Sequence, residues 1–176
     1  MVLFLVFSMM LGVGAVSARV FSSLNAALKK HFPKADVQRD VLYPTKAQFK
    51  KATELAGRKI PEGPIYRYQA YQGGKLIGTA YPDRHLVRTL AETVLILVTP
   101  EGAVREIDVL AFMEPEDYIP SSKWYDQFKS KKLDRELNLN RDITGVTGAT
   151  LTARATTDAA RRVLALHQVL SSSKEE

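Results

Sequence analysis

Asp142-Ile143-Thr144-Gly145-Val146-Thr147-Gly148-Ala149-Thr150-Leu151-Thr152-Ala153-Arg154 is a run of small and hydroxyl residues that opens directly into a helical pattern. Ala155, Ala159, Val163, Leu166 and Leu170 recur every three or four residues. That spacing predicts a helix from about Thr152 to Leu170 with one face buried. The loop delivers Thr147 and Thr150 to the first turn, where backbone N–H groups lack partners and the helix dipole is positive. An anionic group such as a phosphate suits that position. So does simple capping by a threonine hydroxyl, and the residues alone leave both open. Gly145 and Gly148 exceed what a cap requires, since each permits positive φ and close approach of backbone to a ligand. The spacing is not the GxxxxGK(S/T) phosphate loop, because no lysine follows the second glycine.

Upstream of this loop the chain is β in character. Tyr66 to Tyr71 alternates, Gly73-Gly74 supplies a turn, and Lys75 to Tyr81 returns, which predicts a hairpin. Glu92 to Thr99 contains Thr-Val-Leu-Ile-Leu-Val without polar alternation, the mark of a central strand covered on both faces. Pro100-Glu101-Gly102 turns the chain and Val104 to Phe112 runs back. Earlier still, Ser22 or Ser23 can cap a helix through Leu24, Ala27, Leu28 and His31 that Pro33 ends. Thr45-Lys46-Ala47-Gln48 has the form of a capping box, starting a second helix through Phe49, Ala52 and Leu55 that stops at Gly57. Both helices are expected to pack on the sheet. Ser122 can cap a short helix that carries Trp124 and Phe128 at i, i+4 and fastens them to the core. Together these elements predict an α+β fold: one domain, with a mostly antiparallel sheet of about four or more strands packed with helices.

Residues 1–18 contain no charged side chain and end in Val16-Ser17-Ala18, which reads as a secretory signal cleaved after Ala18. A retained membrane anchor is the alternative. Residues 19–176 are then the single domain, sufficient for a core. The tail from Ser171 to Glu176 is expected to fray. The formal charge of +6 comes from dispersed lysines and arginines, which reads as a solvated basic face with no nucleic-acid partner. There is no cysteine, which excludes disulfides, iron–sulfur clusters and c-type haem attachment within the chain. His31, His85 and His167 lie far apart in sequence with no metal-ligand spacing, so neither a metal site nor a histidine-based nucleophile is expected.

Thr147-Gly148-Ala149-Thr150-Leu151-Thr152 resembles the (S/T)-G-A-T-x-(S/T) motif of the FMN-binding domain family. That family includes flavin-carrying subunits of the Rnf complex and of the sodium-pumping NADH:quinone oxidoreductase, and small exported proteins. The resemblance implies that Thr150 carries FMN through a phosphoester bond installed by an FAD:protein FMN transferase. It places Thr147, Gly148, Ala149, Leu151 and Thr152 around the cofactor. The family pattern has an Asp six residues before the acceptor; Thr144 stands there in this chain, and the nearest acid is Asp142. Phe112-Met113-Glu114-Pro115 lies where the respiratory relatives have H-x-E-T. Only Glu114 matches, and it is a candidate neighbour of the isoalloxazine ring or else an exposed loop acid. Gln127-Phe128 resembles the family's Q-F pair. The likeness runs from about Lys75 to Leu166.

The function so implied is an exported, periplasmic or extracytoplasmic electron-transfer flavoprotein, its partners the transferase and membrane or extracytoplasmic redox proteins. Two other readings stand beside it. One is a non-redox exported ligand-binding or interaction module. The other is a flavin-dependent reductase with non-covalent FMN, for which no acid–base pair near the motif is evident among Glu114, Asp142 and Asp158.

Overall fold

The two expected hairpins form the centre of a larger sheet in a computed structural model that describes residues 19–172. The expected signal segment and the end of the tail lie outside the described residues. In chain order the elements are β1 (Arg19–Val20), α1 (Leu24–His31), β2 (Asp36–Leu42), α2 (Lys46–Ala56), β3 (Ile65–Gln72), β4 (Lys75–Leu86), β5 (Ala91–Val98), β6 (Val104–Phe112), α3 (Ser122–Tyr125) and α4 (Thr150–Ser172). Short 3-10 turns occupy Glu116–Tyr118 and Asp126–Phe128. The sheet has six strands in the order β1-β6-β5-β4-β3-β2, every neighbouring pair antiparallel. The architecture is α+β.

Strand β5 is central, as its unbroken apolar run requires. Val94, Ile96 and Val98 pack into the core under α3 and α4, while Leu95 and Leu97 meet α1 on the other face. Each such side chain, fully withdrawn from water, contributes ~1.5–3 kcal/mol. Helix α1 lies between the strands of the two opposite edges and covers one sheet face with Ala27 and Leu28, followed by Phe32. It begins at Ser23, whose hydroxyl accepts from the Ala26 N–H.

Helix α2 carries the full capping box at Thr45 and Gln48 and ends at Gly57. It packs differently from expectation. Phe49, Ala52 and Ala56 meet Ala165, Leu166, Val169 and Leu170 of α4, with the sheet contributing only partly buried Leu42 and Ile65. The physical reason is that α4 already covers this sheet face, so the apolar stripe of α2 is buried against the helix. The start of α3 also differs. Ser121, not Ser122, occupies the N-cap position, and its side chain makes no capping bond. The aromatic fastening holds: Trp124 meets Tyr125 and Phe128 edge-on, with ring centroids 5.0 and 5.3 Å apart.

Helix α4 begins at Thr150, two residues earlier than the periodicity predicts, and runs 23 residues. Its buried surface is wider than one stripe, because the sheet lies on one side and α2 on another. Ala155, expected in the buried face, is only half-buried. Near the middle of the helix, buried Arg161 donates from Nε to the Ala56 carbonyl (2.7 Å). Its Nη1 donates to the carbonyls of Asp134 (2.7 Å) and Leu137 (2.9 Å). One side chain thus ties the end of α2 and the long loop before the motif to α4.

Candidate functional site

The loop that feeds α4 is held from below. Trp124 Nε1–H donates to the Thr144 carbonyl (2.7 Å), and the Thr144 N–H donates to Gln127 Oε1 (2.9 Å). Trp124 and Gln127 therefore set where the motif starts. Gly148 adopts φ +84°, a conformation that L side chains rarely adopt, and a Cβ there would meet nothing within 4 Å. Gly145, by contrast, has no positive φ. The backbone then enters the helix through buried Ala149, whose carbonyl accepts from the Ala153 N–H (2.9 Å).

Capping by threonine does not occur at this helix. The exposed Thr150 hydroxyl donates back to the Val146 carbonyl (3.1 Å). Among the described residues no side chain accepts a hydrogen bond from the N–H groups of Thr150, Leu151 or Thr152. Three backbone donors at the positive end of a 23-residue helix thus stay available beside an exposed hydroxyl.

A cavity of about 200 Å³ opens at this point, lined by Val87, Arg88, Tyr118 and residues 148–152. Leu151 is 48% exposed and stands at its wall. The Arg88 guanidinium lies over the Tyr118 ring, 5.1 Å from its centroid. The predicted site residues divide as follows. Gly148, Ala149, Thr150, Leu151 and Thr152 line the cavity together. The buried Thr152 hydroxyl is committed to the Tyr118 carbonyl (2.6 Å), so it positions the opposite wall. Thr147 is exposed and is not among the lining residues.

Glu114 is neither an exposed loop acid nor part of the cavity wall. It is buried, and its Oε1 accepts from the N–H groups of Leu90 (2.8 Å), Thr89 (2.8 Å) and Arg88 (3.3 Å). Those N–H groups hold the Glu114 carboxyl below its usual range. The residue shapes the turn between β4 and β5 that presents Val87 and Arg88 to the cavity. Asp142, the acid nearest the missing family Asp, is paired with Lys131 Nζ (2.8 Å), and the Thr144 side chain faces water.

Sequence reasoning missed a buried polar cluster close by. His85 sits opposite Glu92 in the β4–β5 register. Its Nδ1–H donates to Asp83 Oδ1 (2.8 Å) and its Nε2–H to Glu92 Oε2 (3.0 Å). Glu92 is fully buried and also accepts from Thr156 Oγ1 (3.0 Å) and the Tyr125 hydroxyl (3.3 Å). Arg162 Nη2 donates to Asp83 (3.0 Å). Burial alone would push the His85 pKa down, but the hydrogen bonds and charges of Asp83 and Glu92 raise it to about 9. The imidazole is therefore a cation at neutral pH.

Residues 91–165 match the model of a family described as the FMN-binding domain. This part of the chain runs from β5 into α4, and its likeness to that family supports flavin binding. No curated protein and no solved structure matches the chain. The residues fit FMN: free N–H groups suit its phosphate, Gly148 leaves open space, and the cavity offers apolar surface beside a cation. Val87 and Arg88 come from outside the matched segment.

Proposed function

We propose that the protein carries FMN joined to Thr150 by a phosphoester bond and works outside the cytoplasm as an electron-transfer flavoprotein. The observation that supports this best is an exposed threonine hydroxyl at an uncapped helix N-terminus, beside a cavity, within a segment that matches the FMN-binding family. When bound, the flavin supplies one- and two-electron chemistry. The chain's own work is attachment and placement.

The exposed Thr150 hydroxyl gives its proton's hydrogen bond to Val146, which leaves the oxygen free of any donor among the described residues. With an FAD:protein FMN transferase as partner, that oxygen attacks the pyrophosphate of FAD. A new P–O bond forms to Oγ1, the pyrophosphate linkage breaks, AMP departs, and the hydroxyl proton passes to a base of the transferase. The free N–H groups of α4 would hold the phosphodiester. Helix-dipole stabilisation there is only ~0.3–1 kcal/mol, so retention comes from the covalent bond. Val87, Tyr118 and Leu151 would supply apolar contact, and Arg88 a cation. A tether has a physical use outside the cytoplasm, where a lost cofactor is not resynthesised. The apolar segment 1–18 supports export, cleaved or retained as an anchor. Membrane or extracytoplasmic redox proteins would then be the electron partners. Among the described residues no helix is long and apolar enough to cross a membrane.

The test is the intact mass of protein co-expressed with the transferase in an exporting host, beside Thr150→Val. One added FMN residue, lost in the variant, is expected. A releasable yellow chromophore without added mass would mean non-covalent FMN and would implicate Thr144 in place of Asp. Folded protein with neither mass nor colour would overturn the reading.

A further inference from the structure

A second cavity, of about 220 Å³, adjoins the one at Thr150 and shares Val87 and Leu151 with it. His85, Arg154, Asp158 and Arg162 supply its polar lining. Exposed Leu86 and Leu151 also line it, leaving apolar surface uncovered where a ligand could use it.

The charges around this cavity are almost all committed. Arg162 is paired with Asp83, Asp158 with Arg58 (2.5 Å), and His85 with both Asp83 and Glu92. Asp83, Glu92, His85 and Arg162 cancel, two charges against two. Arg154, one helical turn beyond Thr150, has no ion-pair partner among the described residues and adds one positive charge. Holding four buried or half-buried ions costs desolvation, and apolar replacements of similar volume are often neutral or stabilising. Stability alone therefore does not account for the cluster, and its place beside the motif points to a function.

We propose that this second cavity takes the isoalloxazine ring of the flavin carried by Thr150, and that the His85 cation, with Arg154, stabilises the negative charge the ring acquires on reduction. The inference rests on the FMN reading of Thr150. The wall's single net positive charge favours the reduced anion over the neutral oxidised ring and so raises the midpoint potential; charge near the ring is a direct lever on flavin electronics. The groups that face His85 are Asp83 on β4, Glu92 on β5, Tyr125 of α3 through Glu92, and Thr156, Arg154, Asp158 and Arg162 on α4.

The experiment is spectroelectrochemical titration of flavin-loaded protein, loading being verified by intact mass, for wild type, His85→Gln and Glu92→Gln. It is run near pH 6, where even an ordinary imidazole (~6.5) keeps its proton more than half the time. His85→Gln removes a positive charge and should weaken the preference for the reduced ring about tenfold, a fall of about 30 mV for a two-electron couple. Glu92→Gln removes a negative charge and should shift the potential upward. Should Glu92→Gln fail to fold, Asp83→Asn makes the same prediction of sign. In wild type alone, the potential should drop further as pH rises past about 9. Shifts of opposite sign are not produced by loosened packing. Shifts of the same sign, or none, in loaded protein overturn this inference alone. Wild type that carries no flavin overturns it together with the FMN reading.

Discussion

Glu114→Gln tests whether a charged hydrogen-bond acceptor, and not merely an acceptor, holds the β4–β5 turn. The amide oxygen can take the place of Oε1, so the perturbation is loss of charge at constant shape. Hydrogen bonds to charged groups contribute ~1.5–3 kcal/mol and neutral ones ~0.5–1.5. Two short bonds, from Leu90 and Thr89, each lose about 1 kcal/mol by that difference. Arg88 and Thr89 are exposed, so water recovers part of it, leaving about 1–2 kcal/mol and a fall in Tm of about 2–8 °C. The folded carboxyl titrates below its unfolded value. Its contribution is therefore complete above the unfolded pKa of ~4.3 and is lost as pH falls through the lower folded pKa. Urea unfolding followed by circular dichroism should separate the two proteins near pH 7 and narrow the gap between them at about pH 3. A difference of equal size at both pH values, or none near neutrality, would refute the reasoning.

Two further substitutions probe the supports of the site. Arg161→Lys keeps the charge but cannot reach the carbonyls of Ala56, Asp134 and Leu137 together. A loss of about 2–4 kcal/mol in urea unfolding is expected, and an unchanged midpoint would show that the fork geometry is unimportant. Gly148→Ala places a Cβ in open space at φ +84°, so only backbone strain of about 1 kcal/mol is expected. A much larger loss by the same measurement would reveal a packing role for Gly148.

The features legible in the sequence are those whose partners lie within a few residues. The caps at Ser23 and Thr45, the stop at Gly57 and the Gly73-Gly74 turn, with φ of +58° and +78°, are local chemistry. The apolar run of β5 announces its own burial. Strands β1 and β2 were not legible. β1 is two residues long, and β2 carries Asp36, Arg39 and Asp40 on a sheet edge, stabilised by partners such as Arg67 on a strand distant in sequence. β4 extends past Pro82 to Leu86 because the β3–β4 pairing ends at Ala80 while the β4–β5 pairing continues. A proline is tolerated where only one side is paired.

That hidden extension is also why half of the candidate site was invisible. The T-G-A-T-L-T loop stands out by composition, but its opposite wall, Val87 and Arg88, lies just past the extension. His85 looks solitary when compared with the other histidines, since its partners are carboxylates. The one sequence signal was Glu92, a charge near the head of an almost wholly buried strand, which must find a donor. Pairing β5 with residues 79–86 sets that donor directly opposite, at His85. The cluster therefore follows from strand register, and the register from extending β4 through a proline that reads as a stop.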